Sequence, residues 1–520
     1  MNTEHEEESM QKTRIKPAFV LISAMALCAP AGGQEHLKLT LEASIDIALD
    51  RSFDARTLTQ SLISSRENLR AARAGFKSNG TLDFSSLPNF NQTERQTPLP
   101  GGGYAFDKDK FLDMQASLFI NQPISSTDGV FSLVGTFKRF EQFDTGGRST
   151  FGNIELPVDL SSGSSIDFSP QLSLQYRQPV FTMNRLKTGV RKAELRLENT
   201  LQSYTRSQLD IVFNVTSNFY ALYKAQQQFE IDRDDIKRTE DSYRIARLKQ
   251  QAGLLAEVDV LRLEVDLANA RNKAASSEAS LRRQEDAFKI LIGLALENQV
   301  EAIADLDYES VNATQEKALS EALNRRTELR ADEISIQLDE ISVKEVDTNS
   351  EIRGELFVKY GIFNRDDNLA DAFRQFSDDR VINFSLRVPL WDWGKNRAEV
   401  ESARANLEIS RMTKTNRVQI IRQEIRTAFR NYQSSQQRVD ITKRSQQLAE
   451  KTYRISLLRF ENGDIDSQNL ALEQNRLSLA RSNYLNAVVD YKQSLADLRR
   501  KTLWDFEKNQ AVVVKPSGDE

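Results

Sequence analysis

The sequence is poor in the residues that most often carry chemistry. Its 520 residues contain one cysteine, Cys28, and two histidines, His5 and His36. All three fall in or beside what reads as a leader. The mature chain is therefore expected to have no thiol and at most His36 as an imidazole. That excludes disulfides, Cys/His zinc sites and thiol catalysis. A Ser-His-Asp site would have to rest on His36, in an N-terminal tail. No enzyme activity, catalytic residue, cofactor or metal site is expected. A basic excess is also missing: 70 Lys and Arg against 75 Asp and Glu leave a net charge of -5, so no nucleic-acid partner is expected. Long apolar runs are missing too. None reaches the ~18–20 residues of a spanning helix, so entry into a membrane would require a closed β-barrel. Proline and glycine are scarce, 11 and 21, and cluster between about 75 and 180. The remainder is rich in Ala, Leu, Glu, Gln, Arg and Ser, which favours long helices.

At the start, Lys12, Arg14 and Lys16 precede an apolar run from Ala18 to Ala29, followed by the small-residue site Ala29-Pro30-Ala31. This is the order of a signal peptide, expected over 1–31. The acidic stretch before it, with Glu4, Glu6, Glu7 and Glu8, suits a start at Met10 better. Cys28 raises lipidation, but Leu27 stands where that signal wants a small residue.

Helical spacing runs from Leu39 to about Lys77, giving a helical segment within 32–80. Between 81 and 180 the period becomes two. Met114, Ala116, Leu118 and Ile120 alternate with polar residues, as do Phe131, Leu133 and Phe137, and Ile166, Phe168, Leu172, Leu174 and Tyr176. Leu82 and Phe84 begin a weaker candidate. A half-buried soluble sheet gives this signal, and so does a barrel between lipid and water. A long helical block fills 181–295, with apolar residues three and four apart in the manner of a coiled coil. It reverses at Ala252-Gly253. Each arm is read as roughly 60–70 residues, about 100 Å at 1.5 Å per residue. An irregular piece and a helix occupy 296–350. Two strands follow in 351–391, the second running from Ile382 to Leu390. A second long hairpin fills 392–503, and a polar tail, expected to be disordered, fills 504–520.

The two halves repeat at an offset of 210. Pro179 matches Pro389, Phe219 matches Phe429, Tyr243-Arg244-Ile245 matches Tyr453-Arg454-Ile455, and Gly253 matches Gly463. Each half reads helix, strands, long helical hairpin.

This ordered set resembles the TolC family of outer-membrane efflux proteins over nearly the whole mature chain. The resemblance is carried by Leu39-Thr40-Leu41-Glu42, the junctions Gln178-Pro179-Val180-Phe181 and Val388-Pro389-Leu390-Trp391, the segment from Asn324 to Ala331, and the Tyr-to-Gly spacing before each tip. It implies an α+β membrane protein: a trimeric β-barrel continuous with a long α-helical coiled-coil barrel, internally duplicated. It implies a homotrimer in the outer membrane of a Gram-negative bacterium, in contact with outer-membrane lipid and extending into the periplasm. There it would serve as the passive exit duct of a tripartite efflux or type I secretion system, docked on a periplasmic adaptor and an inner-membrane pump or ABC transporter. The family pattern needs two strands in 81–180, and this sequence offers more.

Gly253, Leu254, Gly463 and Asp464 sit at the expected tips. Such glycines permit a left-handed turn, and the resemblance makes these residues adaptor contacts as well. Glu257, Asp259, Asp464 and Asp466 could ring a tunnel mouth in three copies and favour cations, or be ordinary solvated charges. Pro179, Pro389 and Trp391 mark strand-to-helix junctions. Trp391, Trp393, Phe181 and Tyr176 suit either an interfacial aromatic belt or core packing at the junction. The competing reading is a secreted periplasmic coiled-coil scaffold without a pore.

Overall fold

The structure, a computed structural model, describes residues 36–98, 104–151, 154–157, 164–304, 311–349 and 352–512. The expected leader, with Met10 and Cys28, lies outside them, as do 305–310 and the end of the tail. The first half contains β1 (His36–Leu39), α1 (Leu41–Arg51), α2 (Phe53–Ala74), β2 (Asn79–Pro98), β3 (Tyr104–Ile124), β4 (Gly129–Phe151), β5 (Ile154–Pro157), β6 (Ser164–Val180), α3 (Arg185–Gln251) and α4 (Glu257–Ile292). The second contains β7 (Gln299–Ala302), α5 (Gln315–Arg325), α6 (Thr327–Asn349), β8 (Arg353–Phe363), α7 (Leu369–Ala372), β9 (Ser377–Arg387), α8 (Lys395–Asn462), α9 (Ser467–Thr502), β10 (Trp504–Asp505) and β11 (Gln510–Ala511).

The expected single N-terminal helix is two. Ser52 breaks it, and its hydroxyl accepts from the Ala55 amide at 3.1 Å to start α2. A serine in this position is a better cap than a helix-interior residue, because its side chain satisfies an otherwise orphaned N–H. Thr40 caps α1 in the same way.

The expected equal arms are also corrected. The outgoing helices α3 and α8 have 67 and 68 residues, about 100 Å. The returning helices α4 and α9 have 36 each, about 54 Å. Other helices complete the pairing. α2 packs along α3 and α6 along α8 on the strand side, while α4 and α9 pack on the tip side. The handover lies at the chain's equator, where the largest cores sit. One joins Leu39, Ala48, Ile211, Val215, Phe219, Phe288, Ile292 and Val300, and the parallel pair β1–β7 closes over it. The other joins Ala322, Ile421, Ile425, Ala428, Tyr432, Tyr491 and Leu498. Ile211 and Ile421 occupy duplicated positions, as do Val215 and Ile425. The sequence repeat is therefore a repeat of core positions.

Six long strands form one antiparallel sheet in the order β2-β3-β4-β6-β8-β9, with β5 appended to β4. The short equatorial β1–β7 pair and the β10–β11 hairpin stand apart from it; the hairpin corrects the expected disordered tail over its first residues, because Phe506 and Trp504 pack into the second equatorial core.

Candidate channel wall and hairpin tips

The sheet has the inverse polarity of a water-soluble one. Leu82 lies opposite Leu118, Ile120 opposite Leu133, Leu133 opposite Leu174, Leu174 opposite Tyr360, and Val358 opposite Ile382. Partners in register share a face, so one apolar face crosses all six strands. It is the bare face: Leu82, Leu118, Leu174, Tyr360 and Ile382 are all exposed. The other face carries Ser117, Thr136, Ser173, Gln175, Lys359 and Asp379. Gln115 donates to Ser117 at 3.1 Å, Gln175 to Ser173 at 3.2 Å, and Lys359 pairs with Asp379 at 2.5 Å. Apolar outside and hydrogen-bonded polar inside is the arrangement of a barrel between lipid and water. No helix among the described residues is long and apolar enough to cross a membrane, and they hold no acidic, His or Cys grouping suited to a metal ion.

The junctions are asymmetric. Pro179 is still in the ladder, opposite Glu355. On the other side β9 ends at Arg387, so Val388, Pro389 and Leu390 lie past it. The second strand is shorter than its alternation suggests, because Pro389 has no N–H to extend a ladder. Trp391 is 77% exposed and Trp393 96%, and Phe181 is exposed too. Core packing within this chain is thereby excluded for these three, while Tyr176 is half-buried and stacks on Phe131 at 4.6 Å. Phe181 and Trp393 have positive φ, 60° and 55°, where the chain turns from sheet to helix. Asn184 caps α3 with its own side chain. At α8 that position is Gly394, so Asp392 accepts from Gly394 and Asn396 amides at 2.9 and 2.8 Å instead. These two backbone donors hold the Asp392 carboxyl below the usual aspartate range.

The two tips are geometrically alike. Gly253 and Gly463 have φ of +73° and +86°, and a Cβ on either would meet nothing within 4 Å. The next amide in each reaches back five residues, Leu254 N to Lys249 O and Asp464 N to Arg459 O, both 2.8 Å, as in a Schellman-type helix end. The fold brings the tips together around Ala246, Val260, Leu263, Phe460 and Leu470. The Lys249 ammonium donates to Phe460 O and lies 4.9 Å from its ring, and Ser467 Oγ donates to Asp259 Oδ1 at 3.1 Å.

The four acidic candidates separate into two kinds. Asp259 accepts from Ser467 and pairs with Arg262 at 3.6 Å, and Asp466 caps α9 through the Asn469 amide. Glu257 and Asp464 stand exposed at the tips. Beside them α4 and α9 leave an open groove of about 720 Å³ lined by Val258, Leu261, Val265, Leu472 and Asp266. Burial alone raises the Asp266 carboxyl.

Sequence reasoning missed a buried polar seam between α3 and α9. Ser478 donates to Asp235 at 2.8 Å, Arg238 pairs with Asp235 at 3.2 Å, and Gln474 donates to Ser242 at 2.8 Å. These residues read as ordinary helix surface. The available signal was that Asp232, Asp235, Thr239 and Ser242 hold four successive positions of the 3-4 spacing ahead of Ala246.

A family model described as "Outer membrane efflux protein" matches residues 141–294 and 318–502. Nodulation protein T of Rhizobium leguminosarum bv. trifolii is 22% identical over 318 residues, 60% of this chain and 67% of that protein. The probable efflux pump outer membrane protein TtgC of Pseudomonas putida is 18% identical over 330 residues, 62% of this chain and 66% of that one. The chain thus spans about two thirds of the length of these curated relatives. Among solved structures, the Campylobacter jejuni CmeC outer membrane channel superposes with a TM-score of 0.65 at 14% identity, covering 91% of this chain and 87% of that one. Inverted sheet polarity, duplicated helical hairpins and the family match converge: the chain belongs to the outer membrane efflux protein family and has a TolC-like fold.

Proposed function

We propose that this chain is one subunit of a homotrimeric passive exit duct, serving a tripartite efflux or type I secretion system. The observation that carries this reading is the six-strand sheet. It is apolar outward, polar inward, and its edges β2 and β9 have no partner among the described residues. Unpaired edges are untenable in lipid, so copies must pool strands. A single hydrophilic tunnel about 100 Å long then continues from the barrel through the helices. The duct stands in the outer membrane of a Gram-negative bacterium and its helices reach into the periplasm. Phe181, Trp391 and Trp393 serve as the aromatic belt at the tunnel side of the lipid. Gly253, Leu254, Gly463 and Asp464 meet a periplasmic adaptor, through which an inner-membrane pump or ABC transporter delivers cargo. Catalysis has no part in this role. A periplasmic scaffold without a pore has no use for the outward apolar face.

The test is extraction of the full chain from outer membranes in mild detergent, followed by mass determination and planar-bilayer recording. Three copies per particle with steady ion conductance are expected. A soluble, non-conducting monomer would sink the proposal.

A further inference from the structure

We infer that each copy gives all six long strands to the shared barrel, so that three copies close on 3 × 6 = 18 strands, with β9 of one copy hydrogen-bonded to β2 of the next. This rests on the trimeric reading above. Two strands per half would give 3 × 4 = 12 and leave the β2–β3 hairpin as an accessory outside the wall.

Three observations place that hairpin in the wall, and the strand parity, which four strands would satisfy as well, is compatible with it. The outward apolar face continues across β3 onto β2 without a break: Leu82 lies opposite Leu118 and Phe84 opposite Ala116, with Leu82 59% and Phe84 53% exposed. A hairpin surrounded by water would bear no such band. Second, the β3–β4 ladder runs from Tyr104 opposite Thr150 to Ile124 opposite Gly129. The outer edge of β4 is therefore already occupied and cannot receive a neighbour's β9. On parity, an even number of strands in an all-antiparallel sheet makes β2 and β9 run in opposite directions. The join between copies is then antiparallel like every join within them. Third, the β3–β4 turn is tied to the first tunnel helix. Asn184 donates to Ser125 O at 2.9 Å, and the Leu186 amide donates to Asp128 at 3.3 Å. The inner end of the hairpin is thus fixed where the barrel meets the tunnel. The strand lengths agree: β9 has 11 residues, the ~9–11 needed to cross the apolar layer.

Barrel diameter grows roughly linearly with strand number, and barrels of about 16–18 strands enclose an aqueous channel. An eighteen-strand wall is about 1.5 times as wide as a twelve-strand one. The barrel is then not the narrow part of the duct, and restriction falls to the helical tips.

The test uses thiol pairs on the polar face of the full chain in outer-membrane vesicles. Its one native cysteine, Cys28, precedes the described residues. Thr81→Cys on β2 combined with Asn383→Cys or Ser385→Cys on β9 is expected to cross-link into species of up to three copies with a short bifunctional reagent. Thr136→Cys on β4 with the same β9 partners is expected to give none. Cross-linking through β4 with loss of the β2 product would overturn the inference. Because a paired-cysteine variant can fail to assemble, the unaltered chain is also imaged in lipid nanodiscs. Three copies with eighteen wall strands uphold it. Three copies with twelve wall strands overturn the strand count alone, and a one-copy particle overturns the trimeric reading and this inference with it.

Discussion

Three glycines with left-handed backbone separate strain from sterics. At Gly253 and Gly463 a Cβ would meet nothing, whereas at Gly293 (φ +78°) it would lie 2.6 Å from Arg51 O. Alanine at either tip therefore pays for conformation alone, about 1–2 kcal/mol. Gly293→Ala must also push α1 away from α4 and is expected to destabilise more than both. Thermal unfolding of the three variants checks the order; equal midpoints would contradict it. A second residue-scale expectation concerns acid. Lys414, then Arg330, hydrogen-bond Glu333 and hold its carboxyl below its ordinary value of 4.5. The folded chain thus binds fewer protons here than the unfolded one. The contribution is present above pH 4.5 and is lost as pH falls through the lowered folded value. Glu333 and Lys414 are 40% and 37% exposed, so solvent screening limits the pair to less than about 1 kcal/mol. Glu333→Gln should lower stability by that small amount at neutral pH and converge with the unaltered chain in acid, which flattens the acid limb of a stability–pH curve.

At the scale of elements, duplicated positions are not energetic equals. Phe219 is fully buried at the first equatorial core, while its repeat Phe429 packs against the second as a half-buried residue. Phe219→Ala should cost about 3–5 kcal/mol, and Phe429→Ala clearly less; chemical denaturation measures both. The sheet supplies a second contrast. Leu174 is on the apolar face and Gln175 on the polar one, adjacent in sequence. Leu174→Arg should cost roughly 2–4 kcal/mol near the middle of the lipid and reduce membrane-inserted protein, while Gln175→Arg is tolerated. Similar recovery of both in the outer-membrane fraction would argue against the assigned faces. The strands were legible because apolar residues at every second position leave a period of two. Their lengths were not. β2, β3 and β4 have 20, 21 and 23 residues and run beyond the apolar band, where the alternation that marks a strand fades.

At the scale of the whole molecule, the mouth of the tunnel is an electrostatic question. Three copies would bring three Glu257 and three Asp464 carboxylates to the tips. Glu257→Lys combined with Asp464→Lys should move the reversal potential of single channels under a salt gradient toward anion preference. The matching change at Asp259 is expected to disturb the tip as well, since that residue is tied to Ser467 and Arg262. An unmoved reversal potential in the double variant would remove Glu257 and Asp464 from the selectivity of the duct. Of the four acidic candidates legible in the sequence, the fold thus gives two structural work. The Asp259–Arg262 pair and the Asp466 cap are local, but Ser467 reaches Asp259 from another helix, and sequence spacing does not disclose that contact.

The sequence by itself determined the duplication, the long helical hairpins, their reversal at Gly253 and Gly463, and an alternating sheet between them. Each of these is set by local periodicity or by a residue with a backbone requirement of its own. Only the tertiary structure decided which face of the sheet is bare, that α2 and α6 finish the pairing begun by α4 and α9, and that Asp235, Arg238 and Ser478 meet in a buried seam. The reason is physical. A period of two states that a strand has an apolar face but not what that face meets. A coiled-coil spacing likewise states that a helix has partners but not which ones. Both depend on contacts between segments far apart in the chain.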